Sequence, residues 1–198
     1  MRNLIKTFIL MLMLSFSHAA IAGDYEDGVV AYGKGDFATA LRLLTPLAEQ
    51  GLARAELHLG FMYDNGDGVT QDYKTAVKWY TLAAEQGIAR AQVNLGLMYD
   101  QGQGVAQDYK TAVKWYTFAA EQGHAKAQSN LGVMYDNGQG VAQDYVKAHM
   151  WLNIAAIDGD ADAIKNRDIV AKLMIPAQIE KAQEAASRCI KQNFKNCD

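Results

Sequence analysis

Cysteine is nearly absent from this chain: two residues, Cys189 and Cys197, both close to the end of its 198. That scarcity excludes a scaffold held together by disulfides in place of a core. The spacing also excludes a Cys-x-x-Cys redox pair. Histidine is hardly commoner. His18, His58, His124 and His149 form no His-x3-His, two-Cys-two-His or His-Glu-x2-His pattern, so no metal site is expected. There is no Gly-x-Ser-x-Gly, and past residue 22 no Ser-x2-Lys, which removes two signatures of a serine nucleophile. The Gly-x-Gly-Val loops at Gly66, Gly102 and Gly138 follow no strand and lack the Lys-Ser/Thr of a phosphate-binding loop. The expectation is a chain with no catalytic residues, no metal and no cofactor.

Clustered positive charge is missing too. The formal net charge is −3. Nucleic acid and anionic membrane surfaces both select runs of Lys and Arg, so neither is expected as a partner. Long apolar runs are limited to the start. Arg2 and Lys6 precede an apolar stretch, Phe8 to Phe16, and then small residues in which Ala20 and Ala22 form a cleavage signal before Gly23. The stretch is shorter than the ~20 residues that span a bilayer, so a signal peptide over 1–22 is expected rather than an anchor. Its removal takes away Arg2 and Lys6 and no acid, leaving 17 basic residues against 22 acidic ones and a net charge of about −5. The product is periplasmic or secreted, without stable membrane insertion.

What the chain has in abundance is itself. Asp72 to Thr81 recurs letter for letter at Asp108 to Thr117, with looser copies from Asp144 and Asp36, each 36 residues after the last. Residues 51–86 and 87–122 agree at 27 of 36 positions, and 123–158 keeps the skeleton. A period of this length marks stacked helical hairpins. The first helix of a repeat reads from Ala53 to Asp64, with an apolar stripe at Ala55, Leu59, Met62 and Tyr63. Gly60, Gly96 and Gly132 interrupt it, which implies a neighbouring helix too close for a Cβ. Gly66 ends it. Asp72 caps the second helix, whose buried stripe is Tyr73, Ala76, Val77, Tyr80 and Ala84, with Lys74, Lys78, Thr81 and Glu85 on the wet face. Trp79 lies beside that stripe and is expected to pack between repeats. Asp64, Asp100 and Asp136 recur at one position and are expected to cap or to be solvated.

The flanks read as caps: 23–50 as an N-terminal capping repeat, with Pro46 kinking its helix, and 159–198 as C-terminal capping helices and tail. In the third repeat the wet-face positions become Val146, Met150, Asn153 and Ile157. Something must cover them. The candidate is a last helix from Pro176 to Gln192 with Ile179, Ala182, Ala186 and Ile190 on its apolar face. On one continuous helix Cys189 and Cys197 would lie ~12 Å apart along the axis, too far to bond. A disulfide Cys189–Cys197, expected in an exported chain, therefore needs the helix to end near Gln192-Asn193 and the tail to fold back. Free thiols are the alternative.

The pattern Ala-x3-Leu-Gly-x2-Tyr-x2-Gly-x-Gly-Val-x2-Asp-Tyr-x2-Ala-x2-Trp-Tyr-x2-Ala-Ala-x2-Gly, over about 51–159, resembles the Sel1-like repeat, a relative of the tetratricopeptide repeat. Leu152 and Ile157-Asp158 depart from it. The resemblance implies an all-α fold, an α/α solenoid (superhelix) of stacked helix-turn-helix repeats with capping helices at both ends. It implies a non-catalytic adaptor or scaffold in envelope assembly, regulation or host contact, with a protein or peptide partner. Some cysteine-rich members act on β-lactams, which makes a cell-wall-directed enzyme the alternative. Those members carry a Cys pair in each repeat, and no repeat here has one. In tetratricopeptide-like stacks the first helices line the concave side. The positions that vary there between near-identical repeats are Leu57, Val93 and Ser129; His58, Asn94 and Asn130; and Phe61, Leu97 and Val133. These nine are the expected partner-binding residues. Their alternative reading is packing between repeats for the apolar members and drift for the polar ones. If the address is read correctly, N-terminal sequencing of the protein after export will begin at Gly23, and an intact leader in the exported protein refutes it.

Overall fold

The computed structural model describes residues 23–157 and 159–197, and all regular structure among them is helical. The expected signal peptide lies outside the described residues. The helices are α1 (23–33), α2 (Phe37–Glu49), α3 (Ala53–Asn65), α4 (Tyr73–Glu85), α5 (Ala89–Gln101), α6 (Tyr109–Ala120), α7 (Ala125–Asn137), α8 (Tyr145–Ala155), α9 (Ala161–Ala171) and α10 (Pro176–Lys191). The described residues fall into two compact units, one up to Leu82 and one from Ala83 on, with the division inside α4.

The same local rules build every hairpin. Second helices start on an aspartate: Asp72 Oδ1 accepts from the Lys74 and Thr75 amides, and Asp108 and Asp144 do the same one and two repeats later. First helices α3, α5 and α7 have no side-chain cap at the start but end on glycine. Gly66, Gly102 and Gly138 sit at φ 80°, 71° and 67°, and each amide donates to the carbonyl of a methionine four residues back. A left-handed residue there costs an ordinary side chain strain that glycine escapes.

In the first unit α1, α2 and α3 enclose Ala40, Leu44, Leu47, Leu59 and Met62, with Tyr25, Phe37 and Trp79 at the margin. Tyr32 Oη donates to Asp67 Oδ2 at 2.7 Å, which ties α1 to the loop after α3. Helix α2 runs through Pro46 to Glu49. In the second unit α5 and α6 pair, α7 and α8 pair, and α6 lies on α7. Tyr116, Leu131, Met134, Trp151 and Leu152 fill the centre.

Close approach within each hairpin rests on the glycine of the first helix. A Cβ on Gly96 would stand 2.7 Å from the Tyr116 ring, and one on Gly60 would collide with Tyr80. Both tyrosines are essentially inaccessible to solvent.

The end of the array is covered as the apolar substitutions required. Helix α10 packs on α8, Met150 is buried and Val146 is partly buried against the same core. Two details differ from expectation. Ile157 is 61% exposed, because α8 stops at Ala155 and Ile157 lies in the turn beyond it. Ile190 is also exposed; the buried line of α10 runs through Ala182, Ala186 and Cys189 instead. Cys189 is bonded to Cys197 with their Cα atoms 4.9 Å apart. The helix ends at Lys191, and Asn193, Phe194 and Asn196 take positive φ as the tail turns back. The Phe194 amide donates to the Cys189 carbonyl, and its ring lies over Gly123.

Two measurements follow. Gly96→Ala should lower the unfolding free energy in urea by about 1–2 kcal/mol, because overpacking against a buried ring (~1–3 kcal/mol) exceeds the gain in helix propensity (~1 kcal/mol). His149 on α8 is buried, and its Nδ1 has no hydrogen-bond partner among the described residues. Burial, then the positive charge of Arg167, lower its pKa, with Asp168 opposing. The neutral form is thus favoured in the fold. Stability should be flat in this group above its unfolded pKa of ~6.5 and fall as pH drops through that value, since the unfolded chain protonates first. His149→Gln should flatten the fall between pH 7 and 5, and an unchanged slope would refute the assignment.

Candidate functional site

The nine expected partner-binding residues sit on the first helices, at three positions per helix. They do not share one environment. The first position is inside: Leu57, Val93 and Ser129 are 8%, 7% and 6% exposed. The other two reach the surface. His58 and Phe61 on α3, Asn94 and Leu97 on α5, and Asn130 and Val133 on α7 are all half-buried. The two positions are three residues apart, so they share one face of each helix.

In the first unit that face is aromatic. The His58 ring packs edge-on against Tyr25 and Tyr32, each with centroids 5.9 Å away, and against Phe61 at 6.2 Å. Phe61 continues to Tyr80 at 5.8 Å. Burial raises the Tyr25 phenol, with Arg54 opposing. Helix α1 positions the two outer tyrosines, which sequence reading had assigned only to a cap.

In the second unit the same face is amide and aliphatic. Val133 packs partly against the core, and the Asn130 side chain lies near enough to the Tyr116 hydroxyl to lower its pKa. Three residues further along each helix comes the recurring aspartate. It is half-buried in every repeat, and in the first two it neither caps nor is merely solvated but accepts from a tyrosine. Asp64 Oδ2 accepts from Tyr80 Oη at 3.0 Å, and Asp100 Oδ2 accepts more loosely from Tyr116 Oη at 3.5 Å. Burial raises the pKa of both carboxyls, and the tyrosine hydrogen bond works against it. Burial, the Asp100 charge and the hydrogen bond to it raise the Tyr116 phenol, while Asn130 lowers it. In the third repeat Leu152 stands at the position of the tyrosine, and burial raises the Asp136 carboxyl. Each first helix therefore presents a line of three: His58-Phe61-Asp64, Asn94-Leu97-Asp100 and Asn130-Val133-Asp136. Such a line offers amide or ring hydrogen bonding, one apolar contact and one carboxylate. It holds no nucleophile beside a base.

Sequence reading passed over two sets of glutamines. Gln71, Gln107 and Gln143 in the loops donate to the carbonyls of Asp64, Asp100 and Asp136 at 2.6–2.7 Å, bracing the helix end. Gln92 and Gln128 are buried and donate to Ala84 and Ala120 carbonyls at 3.1 and 3.2 Å. Recurrence at the 36-residue period was the signal for both. Among the described residues no three His, Cys, Asp or Glu side chains gather as metal ligands.

The family model of the Sel1 repeat matches residues 17–52, 53–88, 89–124 and 125–160, so α1 and α2 fall within a repeat of their own. No curated protein matches the chain. A crystal structure of a Sel1 repeat protein from Oxalobacter formigenes is similar, with TM-score 0.60 and 40% identity, covering 66% of this chain and 98% of the other. A second similar crystal structure is c5321, a protective antigen present in uropathogenic Escherichia coli strains that displays the SLR fold. It has TM-score 0.56 and 28% identity, with 89% of this chain covering 47% of that one. Sel1 repeats generally mediate protein–protein interaction on a fold that is typically a non-catalytic scaffold. With four matched repeats over most of its length and the helix-turn-helix packing that goes with them, the chain belongs to the Sel1 repeat family and has its all-α, α/α solenoid fold.

Proposed function

We propose that the protein is an exported interaction module, released from residues 1–22 and holding a protein or peptide partner on the exposed face of its first helices. The observation that carries this reading is the variation at two half-buried positions on one face of each first helix, His58, Asn94 and Asn130 at one and Phe61, Leu97 and Val133 at the other. Residues 51–86 and 87–122 agree at 27 of 36 positions, yet both of these half-buried positions differ between them on a face that remains accessible. Leu97 and Val133 each offer a partner an apolar contact beside a half-buried asparagine. The three buried positions, Leu57, Val93 and Ser129, support the face from beneath. His58 and Phe61 make the corresponding face of the first unit. The division into a capping segment 23–50, repeats 51–86, 87–122 and 123–158, and a C-terminal cap 159–198 belongs to the same reading.

An oxidising compartment is consistent with the Cys189–Cys197 bond. Envelope assembly, regulation and host contact are the settings this suits. The test is site-specific crosslinking from positions 94 and 130 in intact cells, followed by mass spectrometry. Leu97→Asp with Val133→Asp should weaken capture of the identified partner about tenfold or more, as loss of a central apolar contact does. The fold should be unchanged by circular dichroism. Undiminished capture by the folded double variant would overturn the assignment.

A further inference from the structure

Helix α10 does more than cover α8. Between them lies a cleft of about 360 Å³, bordered on one side by the Cys189–Cys197 bond and the returning tail. Its size is at the lower end for small-molecule sites (~300–1,000 Å³). We propose that this cleft binds a small amphiphilic carboxylate, one carboxylate group on a short apolar body. The proposal is independent of the first-helix face.

Charge is the first argument. Three basic side chains border the cleft, Lys147 from α8 and Lys181 and Arg188 from α10, against a single acid, Asp144. This local excess of positive charge stands in a chain whose net charge is −3. Asp144 is already occupied as the cap of α8: its Oδ1 accepts from the Val146 and Lys147 amides at 2.9 and 3.0 Å. Arg188 has Glu184 at 3.7 Å, but both are more than 60% exposed, and a pair so open to water is weak. Lys147 lies 5.2 Å above the Tyr135 ring, which holds its ammonium near the cleft. Lys181 and Arg188 are seven residues apart and so project from one face of α10.

The second argument is what lies beneath the charges. Val146, Met150, Ala185 and Cys189 line the same space, with Met150 and Cys189 almost fully buried. A phosphate or sulfate would leave that apolar wall unused, and an uncharged hydrocarbon would leave the cations unused. A carboxylate on a short aliphatic chain uses both, with charge-assisted hydrogen bonds at one end and apolar burial at the other. In the preceding repeat the positions of Val146 and Met150 are Lys110 and Lys114, both exposed, so the cleft belongs to the last repeat.

The chemistry is shared by a free short-chain fatty acid and by the C-terminal residue of a peptide. Both are tested on the oxidised mature protein by NMR titration, with hexanoate and N-acetyl-Ala-Leu as probes and hexanamide and N-acetyl-Ala-Leu amide as their neutral counterparts. The expected result is saturable shifts of the Val146 and Met150 methyls with at least one carboxylate, and binding of its amide roughly tenfold weaker or less. Lys181→Gln with Arg188→Gln should erase the difference between acid and amide while the methyl spectrum stays folded. Lys147→Gln provides a second variant on the other helix. Saturation by hexanoate alone identifies the free acid, and by the acetylated dipeptide alone a peptide terminus. Equal binding of acid and amide, shifts that map elsewhere, no saturation by either carboxylate up to about 10 mM, or a double variant that binds like wild type would each overturn the proposal.

Discussion

Everything in the second unit depends on how near α5 can come to α6, and that distance is set by the absence of one Cβ. Gly96 lets the Tyr116 ring lie directly on the helix backbone. From there the hydroxyl reaches Asp100, and Asn130 on the next hairpin reaches the hydroxyl. One missing methyl thus permits a polar contact between a first helix and the second helix of its hairpin, with Asn130 of the following first helix close to the same hydroxyl. The first unit repeats the inner part of this arrangement with Gly60, Tyr80 and Asp64. The third repeat keeps the glycine but sets Leu152 against it, so Asp136 has no tyrosine to accept from. The last repeat is held by other means, chiefly its packing on α9 and α10.

Those other means explain why the C-terminal segment looks unlike a repeat. Val146 and Met150 on α8 would be exposed in an unfinished array, and exposed apolar surface invites association. Helix α10 supplies the missing cover with small residues, Ala182 and Ala186, that allow close contact. The disulfide then ties the end of that helix to the tail, and Phe194 of the tail returns to Gly123 at the start of the third repeat. The bond closes a loop of only eight residues, so its chain-entropy contribution is small; it fixes the returning tail against the last turn of the helix.

The nine residues singled out on the first helices show where pattern reading meets its limit. Helical period put all nine away from the stripe of Ala55, Leu59 and Met62, and that much is true of each. Yet Leu57, Val93 and Ser129 are enclosed while their neighbours one and four residues on are half open. A helix inside a stack is buried on more than one side. A single helix in isolation has one apolar stripe; a packed one meets its hairpin partner and the adjoining helix along different lines. Variation among repeats could not separate those two surfaces, because both tolerate exchange among residues of similar size. The partners of Asp64 and Asp100 escaped notice for a related reason: each is a tyrosine sixteen residues away on another helix, and nothing local announces it.

The sequence by itself determined the repeat length, the two helices of each hairpin, the aspartate that begins one and the glycine that ends the other. These follow from local chemistry: backbone amides need an acceptor, a left-handed residue needs no Cβ, and apolar side chains recur at the helical period. It also required that Val146 and Met150 be covered. Only the tertiary structure decided that the buried line of α10 passes through Cys189 rather than Ile190, that Ile157 lies past the end of its helix, and that each recurring aspartate between repeats one and two accepts a tyrosine hydroxyl. Those outcomes turn on a rotation of one residue or on a contact between helices, and both are settled by packing, which no single helix carries in its own sequence.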